Sequence, residues 1–162
     1  MSDPFTPIEA LADHPGPLFG LDFGSKTIGI AVADDGWHIA SPLQTIRRGK
    51  FAADAADLLE LADRYRVTAF VVGLPFNMDG SAGPRVQSTR AFARNLAKLD
   101  TRPIVGWDER WSTVAAERAM IEADVSRAKR RDSVDKIAAA LILQGALDRL
   151  RALGLPAARR DP

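Results

Sequence analysis

Leu18-Phe19-Gly20-Leu21-Asp22-Phe23-Gly24-Ser25-Lys26-Thr27-Ile28-Gly29-Ile30-Ala31-Val32 is the stretch whose reading decides the architecture. Two apolar runs of strand length flank a short Gly-Ser-Lys-Thr turn, the pattern of a β-hairpin. The first run ends in Asp22, a carboxylate set among apolar residues and glycines. An ionised carboxylate held out of water is costly unless something positive meets it. Asp22 is therefore expected to be paired, capped by backbone N–H groups, or bound to a cation. A plain turn-pinning role, through hydrogen bonds to nearby N–H groups, is the alternative.

Outward from the hairpin, Asp34-Asp35-Gly36 is a turn signal and Trp37–Ile46 reads as a third strand, interrupted near Pro42. Three successive strands imply an antiparallel meander. The period then changes. Phe51, Ala55, Leu58, Leu59, Ala62 and Tyr65 recur at helical spacing, predicting an amphipathic helix over Lys50–Arg66. Val67–Leu74 is a continuous apolar run of the kind found in strands covered on both faces. A loop over Phe76–Pro84 leads to a helix over Arg85–Leu99, a short strand over Pro103–Asp108 and a helix from Ser112 to about Glu122. Val125–Arg131 reads as a basic connection and Ser133–Leu153 as a long final helix. The order is an α/β fold with a mixed sheet covered on both faces.

Before the hairpin, residues 1–17 carry several prolines and no periodicity, so they read as a flexible leader. Residues 18–153 read as one domain, and residues 154–162 as a frayed tail. The whole chain, at 162 residues, is long enough for a substantial core. Its net charge of +1 argues for no class of partner, so any case for a polyanion rests on local clustering. The absence of cysteine excludes disulfides, zinc ribbons and thiol nucleophiles. No basic segment with an apolar core opens the chain and no run approaches spanning length, so a soluble, cytoplasmic protein with no membrane partner is expected.

In an open α/β sheet, ligands gather at the carboxyl ends of parallel strands. Asp22 closes the first strand, Asp108-Glu109-Arg110 closes the last, and Asp135 opens the final helix. Carboxylates without cysteine or metal-spaced histidines suit hard cations such as Mg²⁺ or Mn²⁺, which also bind substrate phosphates. Each acid also has a bland role: Asp135 could favour the helix dipole, and Glu109 could pair with a basic neighbour. The bases are grouped. Arg127, Lys129, Arg130 and Arg131 crowd into five positions just before Asp135, with Lys136 beyond it. Arg47, Arg48 and Lys50 follow the third strand, and Arg85, Arg90 and Arg94 recur on the second helix. Bases beside a carboxylate site would draw polyanionic phosphates to it. The helix arginines also suit an ordinary solvated face.

Four segments resemble the bacterial YqgF/RuvX family of pre-16S rRNA nucleases, also described as Holliday-junction-resolvase-like. They are Gly20–Val32, Val72–Gly80, Asp108–Thr113 and Val134–Ala139, in the family's order within about Leu18–Leu150. The resemblance implies an RNase H-like fold, with a five-stranded mixed sheet flanked by helices. It also implies a catalytic and metal-holding trio, which falls here on Asp22, Glu109 and Asp135. Carboxylates of this sort hold one or two divalent ions, about 3.5–4 Å apart when both are present. Lys26 and Arg110 are candidate phosphate contacts beside Arg127, Lys129, Arg130 and Arg131, and the loop 77–83 is a candidate substrate guide. Phe76 and Trp111 stand where the family commonly has smaller aliphatics, which alters packing rather than ligands. The implied function is metal-dependent phosphodiester hydrolysis in 5′-end maturation of pre-16S rRNA, with ribosomal precursor particles as possible partners. Alternatives are resolution of branched DNA and RNA binding without catalysis during ribosome assembly. The Gly-Ser-Lys-Thr hairpin also resembles the phosphate turn of actin-like ATPases and sugar kinases, but those need a second lobe that this length does not provide. Neither oligomeric state nor the choice between RNA and DNA is encoded in these motifs.

Overall fold

The computed structural model describes residues 3–111, 114–124 and 127–156; for residues 114–116, 122 and 127–133 the description is of the backbone alone. The hairpin forms as read: β1 (Leu18–Phe23) pairs antiparallel with β2 (Thr27–Ala33), Asp22 standing opposite Gly29. β3 (Ala40–Arg47) pairs antiparallel with β2 at the sheet edge. The register shifts between Ile30 and Ala31, so Pro42 is accommodated beside an irregularity on an edge strand, where a missing N–H costs least.

α1 (Phe51–Arg64) follows, then β4 (Ala69–Leu74), α2 (Pro84–Ala97) and β5 (Ile104–Asp108). β4 lies parallel to β1 on one side and to β5 on the other, giving one sheet in the order β3-β2-β1-β4-β5. The expected five-stranded mixed sheet flanked by helices is thus observed. A short 3-10 helix over Glu109–Trp111 leads to α3 (Val114–Asp124) and the long α4 (Arg127–Ala152). α4 starts earlier than the sequence suggested: Arg127, Lys129, Arg130 and Arg131 lie on its first turns rather than in a connection. Arg, Ala and Lys are good helix formers, and here that local preference outweighs the unfavourable meeting of bases with a helix N-terminus.

Strand alternation splits the core into two layers. Phe19, Leu21, Ile28, Ile30, Phe70, Val72 and Ile104 face α1 and α2, meeting Leu58, Ala62, Phe92 and Leu96. Leu18, Ala31, Ala69, Val71, Val105 and Trp107 face α4, meeting Ala139, Ile142, Leu143, Ala146, Leu147 and Leu150. The α4 backbone presses directly on the hairpin. A Cβ on Gly20 would stand 2.6 Å from the Ala139 carbonyl oxygen, and one on Gly29 would stand 2.1 Å from that of Asp135. Only glycine permits that approach.

Residues 5–17, read as a flexible leader, are packed instead. Thr6 N–H donates to the Ile104 carbonyl on the β5 edge at 2.7 Å, and Leu11 is fully buried within a 3-10 turn over Ile8–Asp13. Trp37 Nε1 donates to the Gly16 carbonyl at 2.8 Å, and Thr68 N–H to that of Pro17 at 2.9 Å. The prolines mark turns of a segment that buries Leu11 and half-buries Phe5 and Ile8, so their lack of periodicity did not mean lack of packing. At the other end Leu155 packs on the core, while residues 157–162 of the expected tail lie outside the described residues. Among the described residues no helix is long and apolar enough to cross a membrane.

Candidate active site

Asp22, at the end of β1, lies on the α4 side of the sheet in alternation with Leu18 and Gly20. Glu109 follows β5, and its carboxyl carbon would be 3.5 Å from a Cβ on Gly73 of β4. Both acids thus reach the carboxyl edge of the three parallel strands, above the face that α4 covers. Both are buried, with 4% of Asp22 and 8% of Glu109 exposed.

The two meet on one cation. Arg118 of α3 donates from Nη2 to Asp22 Oδ1 at 3.2 Å and to Glu109 Oε1 at 2.8 Å, with its own side chain 17% exposed. Burial pushes the Asp22 carboxyl up from its ordinary range, and Arg118 and Arg85 pull against it. Burial likewise raises Glu109; Arg118 and Arg85 oppose the rise, and Asp22 and Asp108 add to it. Burial alone would lower the guanidinium, but Asp22, Glu109 and Asp135 together hold Arg118 above its usual value, so it stays charged.

Asp135 comes to the same end of the sheet from α4. Thr27 Oγ1, at the start of β2, donates to Asp135 Oδ2. The close seating of α4 on Gly29 sets this arrangement. The expected three-carboxylate cage is not closed, however. Among the described residues no three acidic or histidine side chains converge as a metal-binding group. Arg118 stands between Asp22 and Glu109, and Thr27 holds Asp135 to the hairpin side. Asp22 and Glu109 still fit a hard cation. Their donors are all carboxylate oxygens, and Asp22 Oδ2 is buried with no hydrogen-bond partner, a cost that a bound cation would relieve.

The expected phosphate contacts differ in how free they are. Lys26 is exposed on the hairpin turn and lines a small basic recess of about 270 Å³ with Arg47 and Arg48. Arg48 braces that turn, donating from Nη1 to the Gly24 carbonyl at 2.7 Å while its guanidinium lies over Phe23. Arg110 is committed elsewhere: it forks onto Asp108 through Nε at 3.1 Å and Nη2 at 2.6 Å. Its other face meets Phe76 and the loop at Gly80. That loop is self-braced, Ser81 N–H and Oγ both donating to Asp79. The side chains of Arg127, Lys129, Arg130 and Arg131 lie outside the described ones. Arg118 is the residue that sequence reasoning missed as a member of the site; Arg85, named among the bases of α2, acts on both acids through its charge. Arg118 is a single helical arginine, and only the placement of α3 over the sheet edge makes it central.

A mixed sheet in this order, with acids at the carboxyl edge of its parallel strands and a third acid on the covering helix, defines the RNase H-like class. The model of the RuvX family, described as Holliday junction resolvase, matches residues 16–149, and the chain belongs to that family. A relative from Rhodobacter capsulatus named "Putative pre-16S rRNA nuclease" is 63% identical over 139 residues, covering 86% of this chain and 87% of its own. One of the same name from Beijerinckia indica is 57% identical over 153 residues, covering 93% of each. Among solved structures, Thermus thermophilus RuvC in complex with Holliday junction substrate superposes with a TM-score of 0.56. It is 18% identical, over 86% of this chain and 96% of that one, a likeness of fold.

Proposed function

We propose that this chain is a divalent-metal-dependent endonuclease that hydrolyses phosphodiester bonds in 5′-end maturation of pre-16S rRNA, in the cytoplasm. The observation that carries the reading is the pair of buried acids, Asp22 and Glu109, brought together at the carboxyl edge of the sheet. Relatives 63% and 57% identical, named for pre-16S rRNA, supply the substrate class. Asp22 and Glu109 would hold the ion, with Asp135 completing the site from α4. When bound, the metal lowers the pKa of an attacking water and stabilises the leaving oxygen. The chain's own residues do the rest. The hydrophobic layers beneath Asp22 fix its carboxylate, Thr27 orients Asp135, and Lys26 with Arg47 and Arg48 offers positive charge to the backbone of the nucleic acid. Lys129, Arg127, Arg130 and Arg131 extend that charge along the first turns of α4, while Arg110, its charge taken up by Asp108, lies against Gly80 of the loop 77–83.

Branched DNA is the second reading, favoured by the family's description as a Holliday junction resolvase. One experiment separates the two. Purified protein is given precursor rRNA beside a four-way DNA junction, each with Mg²⁺, Mn²⁺ or EDTA. Metal-dependent cleavage of the rRNA alone is the expected result. Cleavage of the junction alone favours the second reading, and equal cleavage in EDTA overturns the metal requirement.

A further inference from the structure

We propose that Arg118 is a built-in counter-cation: it holds Asp22 and Glu109 together in the metal-free protein and competes with the divalent ion for them. This rests on the reading of that pair as a metal-binding site. Two buried carboxylates facing each other cannot both stay ionised without a positive charge between them. A guanidinium supplies one at any physiological pH. A single nitrogen, Nη2, touches both acids, so it takes the place between them that an ion bound to both would need.

The manner of the contact marks it as one that can be released. Arg110 forks two nitrogens onto Asp108, and Arg102 bonds both oxygens of Asp100 while its Nε serves the Val67 carbonyl. Arg118 does neither. Its one nitrogen is shared, its Nε is buried without a partner, and Asp22 Oδ2 opposite is buried without one as well. Two unsatisfied polar atoms inside one buried ion pair make it a weaker pair than its neighbours. A divalent ion would satisfy Asp22 Oδ2 and draw the carboxylates closer than a guanidinium can, since Mg²⁺–oxygen distances are about 2.0–2.1 Å. Two cations cannot share that position, so metal entry requires Arg118 to leave at least one carboxylate. Arg118 is carried by α3, whose main contacts are with α4 and the 3-10 helix after β5 rather than with the sheet.

The test is metal affinity and its linkage to stability, measured on the full chain by calorimetric titration with MgCl₂ and MnCl₂ and by melting in EDTA and in Mg²⁺. Arg118→Gln should bind either ion about tenfold or more tightly than wild type, because a competing charge has gone. In EDTA it should melt several degrees lower, and saturating Mg²⁺ should raise its melting temperature more than that of wild type. A merely structural arginine would lower the melting temperature equally with and without metal. Should Arg118→Gln fail to fold, ¹⁵N spectra of the wild-type side chain carry the test. Mg²⁺ should move the Arg118 Nε–H resonance and speed its exchange with water. Unchanged or weaker metal affinity in Arg118→Gln, or an Arg118 resonance indifferent to saturating Mg²⁺, overturns the proposal while leaving the metal site standing. Absence of binding to wild type and variant alike overturns the metal reading itself, and this inference with it.

Discussion

At the scale of single residues, Asp22 is costly to bury, and its expected behaviour follows from that cost. Replacing a carboxylate by an amide of the same shape removes charge but little volume. Asp22→Asn should therefore keep the fold, with Arg118 still bonded to Glu109, while cleavage of precursor rRNA falls by more than about a hundredfold. Loss of a mere outer partner of a metal ligand already costs about ten- to a hundredfold. Wild-type turnover in Asp22→Asn would remove Asp22 from the site. The pH dependence has a definite sign. Burial raises the native carboxyls of Asp22 and Glu109 above their unfolded values. Between the two midpoints the native state holds more protons than the unfolded one, so stability is greatest below the unfolded value and falls as pH rises through the native one. In EDTA, melting temperature followed from about pH 4 to about pH 8 should decline more for wild type than for Asp22→Asn, which has lost one such group. Asp22 and Glu109 stood out in sequence because each sits at the end of a strand, whereas Asp135, expected to open the final helix, lies about two turns inside α4. Arg118 did not stand out, since no local pattern separates a site arginine from a solvated one; only the turn of chain through the 3-10 helix carries it over the sheet edge.

At the scale of elements, the seating of α4 on the hairpin fixes where Asp135 stands. A Cβ on Gly29 would press into the Asp135 carbonyl, backbone against backbone, with no flexible side chain to yield. Gly29→Ala should cost about 1–3 kcal/mol by denaturant unfolding and, by lifting α4, weaken the Thr27–Asp135 contact and slow cleavage. Gly49→Ala is the control, because its Cβ would find only Asp54 Oδ1 at an ordinary 3.8 Å. Equal effects of the two substitutions would show that the α4 contact is not tight. The hairpin, both inner parallel strands and their helices were legible because apolar periodicity and turn chemistry agreed along them. Two places were not. The start of α4 hid behind its charges, since a run of bases looks like a loop until a tertiary partner for the helix is known. The segment before β1 hid behind its prolines: Leu11 and Ile8 have no period to show, yet the α4-side core needs their volume. Leu11→Ala should accordingly destabilise by about 2–5 kcal/mol, as for any fully buried leucine, and a loss within a few tenths would mean that this segment is dispensable.

At the scale of the whole molecule, a chain of net charge +1 binds a polyanion only if its bases are gathered on one side. The backbone brings two basic stretches to one end of the sheet. The hairpin tip carries Lys26 with Arg47 and Arg48. Asp135 lies over that same tip, bonded to Thr27, so the turns of α4 that precede it run about 10 Å beyond the acids. Those turns hold Arg127, Lys129, Arg130 and Arg131. A positive rim of this kind should grip phosphates without reading bases, because phosphate contacts position while base contacts specify. Neutralising Arg130 and Arg131 together, as alanines that keep the helix, should weaken binding alike for single-stranded and duplex substrates. Each lost contact should make the slope of log affinity against log salt shallower by about 0.7 on single strands and about 0.9 on duplexes. Mg²⁺ affinity should stay put, since neither residue belongs to the acid pair, and so should melting temperature. Titrating both substrates across a salt series, wild type against the double variant, reads all of this at once. A slope that does not change would mean that the first turns of α4 carry their charge into solvent and that the nucleic acid follows the hairpin tip alone.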